Sequence, residues 1–264
     1  MNEIEALILD MDGVIYLGET PIEGAKEAID KLREQGKELI FMTNNSTKTR
    51  SDYVEKLESL GIKTTKEEII TSAYATATYL QKNSGENKKV FVIGEEGLKS
   101  ELREAGFKVL SKNEASNAAF VITGMDRNLN YSKITAGLNA ILNGAEFIAT
   151  NPDPTYPTEE GLAPGAGASI GALTGTAEKE PSFIVGKPSE YMIKIALENT
   201  EISTEEAAII GDRIGLDIKV GRKSGLTTIL VLSGVSTKND FEEIKDTEKA
   251  PDFLLTSISE LRRI

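Results

Sequence analysis

The chain has no histidine, no cysteine and no tryptophan. The first two absences exclude Ser-His-Asp and Cys-His nucleophilic catalysis, phosphohistidine transfer, thiol chemistry and nearly every zinc site. A thiol-free chain is redox-neutral in any compartment. Long apolar runs are also missing: none approaches the ~18 residues that suggest a membrane span. The opening "MNEIEA" is acidic and lacks a basic n-region, so no secretory leader is expected and the cytoplasm is the expected location. Basic surface is scarce. The formal net charge is −12, and no basic stretch is denser than "GRKSG" or "LRRI", which argues against binding the phosphate backbone of a nucleic acid. The acidic excess reads as solvated helix faces carrying Lys and Glu. Whatever chemistry occurs here must draw on carboxylates, Lys, Arg, hydroxyls and amides, a set whose oxygens suit a hard metal if one is used.

What is present suffices for a packed core. Of 264 residues, 39% are apolar and 27% charged, a balance that excludes disorder and allows one large or two modest domains. Short apolar runs alternate with helical patterns. "IEALILD" reads as a strand, and "IEGAKEAIDKLREQG" follows with Ala25, Ala28, Ile29 and Leu32 at helical spacing and Gly36 as a stop. "KELIFMTNN" then "RSDYVEKLESLG" repeats the unit, as do "KKVFVIG", "AAFVITG", "AEFIATN", "SFIVGKP", "AAIIGD" and "TTILVLSG" with the segments between them. Strand, helix and glycine stop in repetition predict an α/β protein with a Rossmann-like parallel sheet. Two polar stretches, "QKNSGENKK" at 81–89 and "GTAEKEPS" at 175–182, read as linkers. They predict a discontinuous core domain, residues 1–80 and 180–264, with a second α/β domain, 81–179, inserted between its halves.

Ligands of open parallel sheets bind beyond the carboxyl ends of the strands. The strands here are followed by "DMDG", "TNNST", "GKP" and "GDR", with Asp217 five residues after Asp212. Each set alone fits a turn or a helix cap. Together, expected at one edge of the core sheet, they supply carboxylates, a lysine, hydroxyls and amides. Phosphoryl transfer through a carboxylate fits that collection. A phosphate monoester repels an attacking carboxylate, so a cation is needed, and Mg²⁺ takes oxygen ligands while requiring only one or two carboxylates. The lysine neutralises nucleophile and phosphate, Thr and Asn orient phosphate oxygens, and the second aspartate protonates the leaving oxygen.

In these four motifs, "DMDGV", "TNN", "GKP" and "GDRIGLD", in this order across the whole chain, the sequence resembles the haloacid dehalogenase superfamily. The stretches "DMDGVIYLGETPIEGA", "FMTNNSTKTR", "FIATNPDPTYPTEEGLAPGAGA" and "TTILVLSGV" are similar to its NagD-like, p-nitrophenylphosphatase branch. The resemblance implies a large α/β cap inserted between the second and third motifs. It implies that Asp10 is the nucleophile and Asp12 the general acid/base, and that Thr43, Asn44 and Lys187 bind the phosphoryl group, with Lys187 also steadying Asp10. Asp10, the Asp12 backbone carbonyl and Asp212 would hold Mg²⁺, supported by Asp217. One departure stands out: Leu216 replaces the threonine usual before Asp217, which removes a hydroxyl from the metal's surroundings.

The expected activity is hydrolysis of small phosphate monoesters through an aspartyl-phosphate, with a phosphorylated metabolite as partner and neither nucleic acid nor membrane. Phosphomutase or phosphotransferase activity, and a non-hydrolytic phosphoaspartate signalling or binding module, are the alternatives. Asn151, Asp153 and Tyr156 in "TNPDPTYPTEEG" are candidate leaving-group contacts, although Asn, Asp and Pro equally suit a turn. The branch suggests a homodimer through the cap. "PGAGASIG" is not a dinucleotide fingerprint, since Gly165, Gly167 and Gly171 are spaced one residue too far.

Overall fold

The computed structural model describes residues 3–158, 161–198 and 200–263. The side chains of Arg262 and Arg263 in "LRRI", and Glu159 and Glu160 of the candidate contact stretch, lie outside that description. The chain forms two compact units. The first comprises residues 1–43, 51–70 and 187–264, and the second residues 44–50 and 71–186.

The first unit is built on a six-stranded sheet, ordered Phe253–Leu255, Thr227–Val231, Ala207–Gly211, Ala6–Asp10, Glu38–Thr43 and Ile69–Thr71. Counted in chain order, these strands run 6-5-4-1-2-3, the doubly wound order of a Rossmann-type sheet. All residues of the two central strands, Ala6–Asp10 and Ala207–Gly211, are buried, as expected of parallel strands covered on both faces. The register fixes the site. Leu9 pairs with both Ile210 and Phe41, and Asp10 pairs with Met42, so Asp10, Thr43 and Asp212 all fall at the carboxyl ends. The strand order reverses between Ala6–Asp10 and Ala207–Gly211. The crevice of such a sheet therefore opens between Asp10 and Asp212. Helix Ala25–Glu34 buries Ala25, Ala28, Ile29 and Leu32, the stripe its spacing predicts, in one apolar cluster with Leu7, Leu9, Phe41 and Ile210.

The second unit has its own five-stranded sheet, ordered Phe183–Ile184, Glu146–Ala149, Phe120–Thr123, Lys89–Ile93 and Lys108–Val109, with parallel pairing throughout. Helices Ser72–Asn83, Glu96–Glu104, Tyr131–Leu142 and Ala166–Ala177 lie in the same unit, with an antiparallel pair Thr155–Thr158 and Gly161–Pro164. Its apolar cluster includes Phe91, Val121, Ile141, Phe147 and Leu173. Among the described residues, no helix is long and apolar enough to cross a membrane.

Three expectations differ from this architecture. The seams expected at 80/81 and 179/180 fall inside the second unit, whose long segment starts at 71 and ends at 186. The polar stretches are the last turns of helices ending at Asn83 and Ala177 with the short connections that follow them inside that unit, whereas the chain crosses between units beside apolar strand residues that read as core. Residues 44–50, expected in the core domain, cluster with the second unit. And "SFIV" is not a strand of the core sheet. Phe183–Ile184 pairs with Glu146–Ala149 at the edge of the second sheet, and Lys187 follows it without a core strand beneath it.

Candidate active site

Asp10 ends the central strand of the first unit, and its side chain is almost fully buried. Lys187 Nζ donates to Asp10 Oδ1 at 2.8 Å and to Asp217 Oδ1 at 2.6 Å. Lys187 and Asp217 are both buried, so this ammonium is shared by two carboxylates in a low-dielectric setting. The other oxygen of Asp217 accepts from the backbone N–H of Arg213 at 3.1 Å. Both Asp217 oxygens are thus engaged without a hydroxyl at position 216, where Leu216 is half-buried.

Asp212 Oδ2 accepts from the backbone N–H of Val235 at 2.6 Å. Its Oδ1 is buried and has no hydrogen-bond partner among the described residues. One carboxylate oxygen from each of Asp10, Asp212 and Asp217 lies within 4.8 Å of the others. The backbone presses close around Asp212. A Cβ on Gly234 would lie 2.0 Å from Asp212 Oδ2, and one on Gly13, at φ +83°, would lie 2.4 Å from the same atom. Glycine is required at both positions.

Three carboxylates against one ammonium leave the cluster short of positive charge. Burial raises the Asp10 carboxyl well above its ordinary range, Lys187 pulls it down, and the charges of Asp217 and Asp212 push it up again. Burial and the Asp217 charge push Asp212 up to about 7, against the Val235 N–H and Lys187. Burial depresses the Lys187 ammonium, but Asp10 and Asp217 more than compensate and lift it above its usual value. Asp12 is accessible to solvent, yet enough protein surrounds its carboxyl to raise it, opposed by Lys56 and the backbone N–H of Gly18. Buried oxygen donors, excess negative charge and an orphaned carboxylate oxygen suit a hard divalent cation.

Thr43 is buried at the end of strand Glu38–Thr43, and its hydroxyl is hydrogen-bonded to Tyr53. Asn44 is also buried, its Nδ2 donating to Asp153 Oδ2 at 3.0 Å. Asn151 Nδ2 donates to the same oxygen at 2.7 Å, and Asn151 Oδ1 accepts from Thr150 Oγ1 at 2.8 Å. Asn151 and Asp153, expected as leaving-group contacts, are therefore buried partners of Asn44. Their short polar side chains were read as turn formers or ligand contacts because nothing local reveals an acceptor shared across 109 residues. Tyr156 is half-buried in strand Thr155–Thr158 beside Arg127, whose guanidinium grips Glu95 through bonds of 2.7 and 2.6 Å. One charged neighbour of the site escaped sequence reading altogether: Lys56, on helix Arg50–Ser59, acts electrostatically on Asp12.

This geometry agrees with what the chain resembles. Residues 7–108 match the family model of the haloacid dehalogenase-like hydrolases, and residues 184–261 match a HAD-hydrolase-like model. Phosphoglycolate phosphatase 1A, chloroplastic, of Arabidopsis thaliana is 39% identical over 98% of this chain and 77% of its own length. The structure of p-nitrophenyl phosphatase from Archaeoglobus fulgidus superposes with a TM-score of 0.91 at 38% identity, covering 98% of both chains. NagD from E. coli superposes with a TM-score of 0.87 at 35% identity, over 97% of this chain and 98% of its own. The chain belongs to the haloacid dehalogenase-like hydrolases, in their NagD-like, p-nitrophenylphosphatase branch, and is a phosphoric monoester hydrolase.

Proposed function

We propose that the enzyme is a Mg²⁺-dependent phosphatase that hydrolyses small phosphorylated metabolites through a phosphoryl-aspartate on Asp10. The observation that carries this reading is the buried Lys187 ammonium held on Asp10 while Asp212 keeps one oxygen unpartnered. Asp10, Asp212 and the backbone carbonyl of Asp12 would hold the metal, with Asp217 beside them fixing Lys187. When bound, Mg²⁺ supplies positive charge that lets a carboxylate approach a phosphate dianion and stabilises the charge of the transition state.

Each chain residue then has a task. A carboxylate oxygen of Asp10 attacks phosphorus, and the bond from phosphorus to the alcohol oxygen breaks. Asp12 gives its proton to that leaving oxygen. Thr43, Asn44 and Lys187 hold the phosphoryl oxygens, the lysine offsetting their charge. Asp12, now a carboxylate, takes a proton from water as that water attacks phosphorus. The Asp10–phosphorus bond breaks, which returns the Asp10 carboxylate and releases inorganic phosphate.

The relative from Arabidopsis is named for phosphoglycolate and that from Archaeoglobus for p-nitrophenyl phosphate. Both names support a small monoester without choosing the metabolite. The enzyme is proposed to work in the cytoplasm and as a homodimer through the inserted unit. Exposed Tyr131 and Leu142, eleven residues apart and so on one face of helix Tyr131–Leu142, support that dimer. Ranking phosphorylated metabolites by kcat/KM, with Mg²⁺ and after EDTA, tests the proposal. Full activity without divalent metal, or transfer of phosphate only to a second sugar, would overturn it.

A further inference from the structure

Lys56 occupies an unusual position for a lysine on a short surface helix. Its side chain is only 10% exposed, and the ammonium lies 3.7 Å from the centroid of the Tyr16 ring. It donates to the backbone carbonyl of Gly18 at 2.7 Å and reaches Glu19 Oε1 at 3.3 Å. Tyr16, Gly18 and Glu19 belong to one small hairpin, the antiparallel pair Tyr16–Leu17 and Thr20–Pro21 with Gly18 at its tip in the left-handed region, φ +58°. This hairpin follows Asp12 directly and is tied to it. The Asp12 backbone bridges to Tyr16, Gly13 N–H donates to the carbonyl of Tyr16 at 2.8 Å, and the Gly18 N–H lies close enough to the Asp12 carboxyl to oppose the rise that burial causes. The residue whose carbonyl Lys56 holds therefore lies in the same hairpin whose Tyr16 is bridged to Asp12. Tyr53, one turn before Lys56 on the same helix face, is bonded to Thr43. One helix face therefore braces both the hairpin and the end of the neighbouring strand.

We propose that Lys56 is a positioning residue for Asp12, holding the hairpin through Gly18 and Tyr16 so that the Asp12 carboxyl is aimed at the leaving oxygen. This rests on Asp12 being the general acid. A two-residue strand pair is too short to hold its own geometry in water, so an external clamp is required. The hydrogen bond to Gly18 and the cation–π contact to Tyr16 supply one from an element anchored elsewhere in the core.

The test uses the difference between leaving groups. When the bond from phosphorus to oxygen breaks, an alkyl alcohol leaves as a strongly basic oxygen that needs Asp12's proton. A p-nitrophenolate leaves without that help. Comparing kcat/KM for glycerol phosphate and p-nitrophenyl phosphate gives a ratio in which the folded fraction of each preparation cancels. Asp12→Asn serves as the reference, and the full-length Lys56→Met enzyme with Mg²⁺ is compared with wild type. The expected result is a loss about tenfold larger on glycerol phosphate than on p-nitrophenyl phosphate for Lys56→Met, in the same sense as Asp12→Asn. Lys56→Arg, which restores a donor to the Gly18 carbonyl, should recover most of that ratio. If Asp12→Asn discriminates between the two substrates and Lys56→Met lowers both equally or neither, the positioning role is overturned. If Asp12→Asn does not discriminate, the assignment of Asp12 as acid fails first and the role of Lys56 falls with it.

Discussion

Lys187 Nζ and Asp10 Oδ1 are 2.8 Å apart although 177 positions separate the residues in the chain. The same ammonium touches Asp217, so one buried cation holds two buried anions. Replacing Lys187 with alanine leaves both carboxylates without it, in a site where removing one partner of a buried pair typically costs about 3–5 kcal/mol. Lys187→Ala should lower kcat by roughly a hundredfold or more and lower the melting temperature. Steady-state kinetics and calorimetry on the same preparation check both. A change confined to KM would contradict the catalytic part.

The metal-free protein should lose stability as pH rises. The Asp212 carboxyl, pushed up to about 7 in the fold, keeps a proton that the unfolded chain releases near the ordinary value of 3.8. A raised carboxyl stabilises the fold at low pH and gives that up as pH climbs through the window from about 4 to 7. Mg²⁺ competes with the same proton, so its affinity should strengthen through about pH 7 and its presence should flatten the slope. Denaturation across pH in EDTA and in Mg²⁺ checks this.

Gly234→Ala should damage the site without replacing any charged residue. Its Cβ would collide with Asp212 Oδ2, 2.0 Å away, and force that carboxylate to move. The Mg²⁺ concentration for half-maximal activity should rise about tenfold or more. Titration with Mg²⁺ measures it, and an unchanged requirement would mean that Asp212 does not hold the metal.

Asp153→Ala removes the acceptor shared by Asn44 and Asn151. On the proposed role of Asn44 in holding the phosphoryl group, losing this partner should weaken phosphate handling for every substrate alike, raising KM several-fold without reordering a substrate panel. Reordering would instead support Asp153 as a leaving-group contact.

Much of this site was legible because a parallel sheet turns sequence order into geometry. Apolar runs ending in Asp10, Thr43 and Asp212 had to deliver those residues to one edge, and the pairing of Leu9 with Ile210 and Phe41 does so. Lys187 was legible as a residue but not by its path, since Phe183–Ile184 is short and apolar like a core strand yet pairs in the other sheet. The bonds that join Asn151 and Asp153 to Asn44 were not legible, because hydrogen-bond partners distant in sequence leave no local trace. Lys56 was passed over because a lysine in "YVEKLES" looks like any solvated helix charge, and only the fold lays it on Tyr16.

The central claim is that Asp10 carries the phosphoryl group. Mass spectrometry of enzyme quenched in acid during turnover reads it directly. One phosphoryl group should appear on the peptide containing Asp10 and be absent from folded Asp10→Asn, which should show no turnover. Phosphorylation elsewhere, or appreciable activity in Asp10→Asn, would contradict the account.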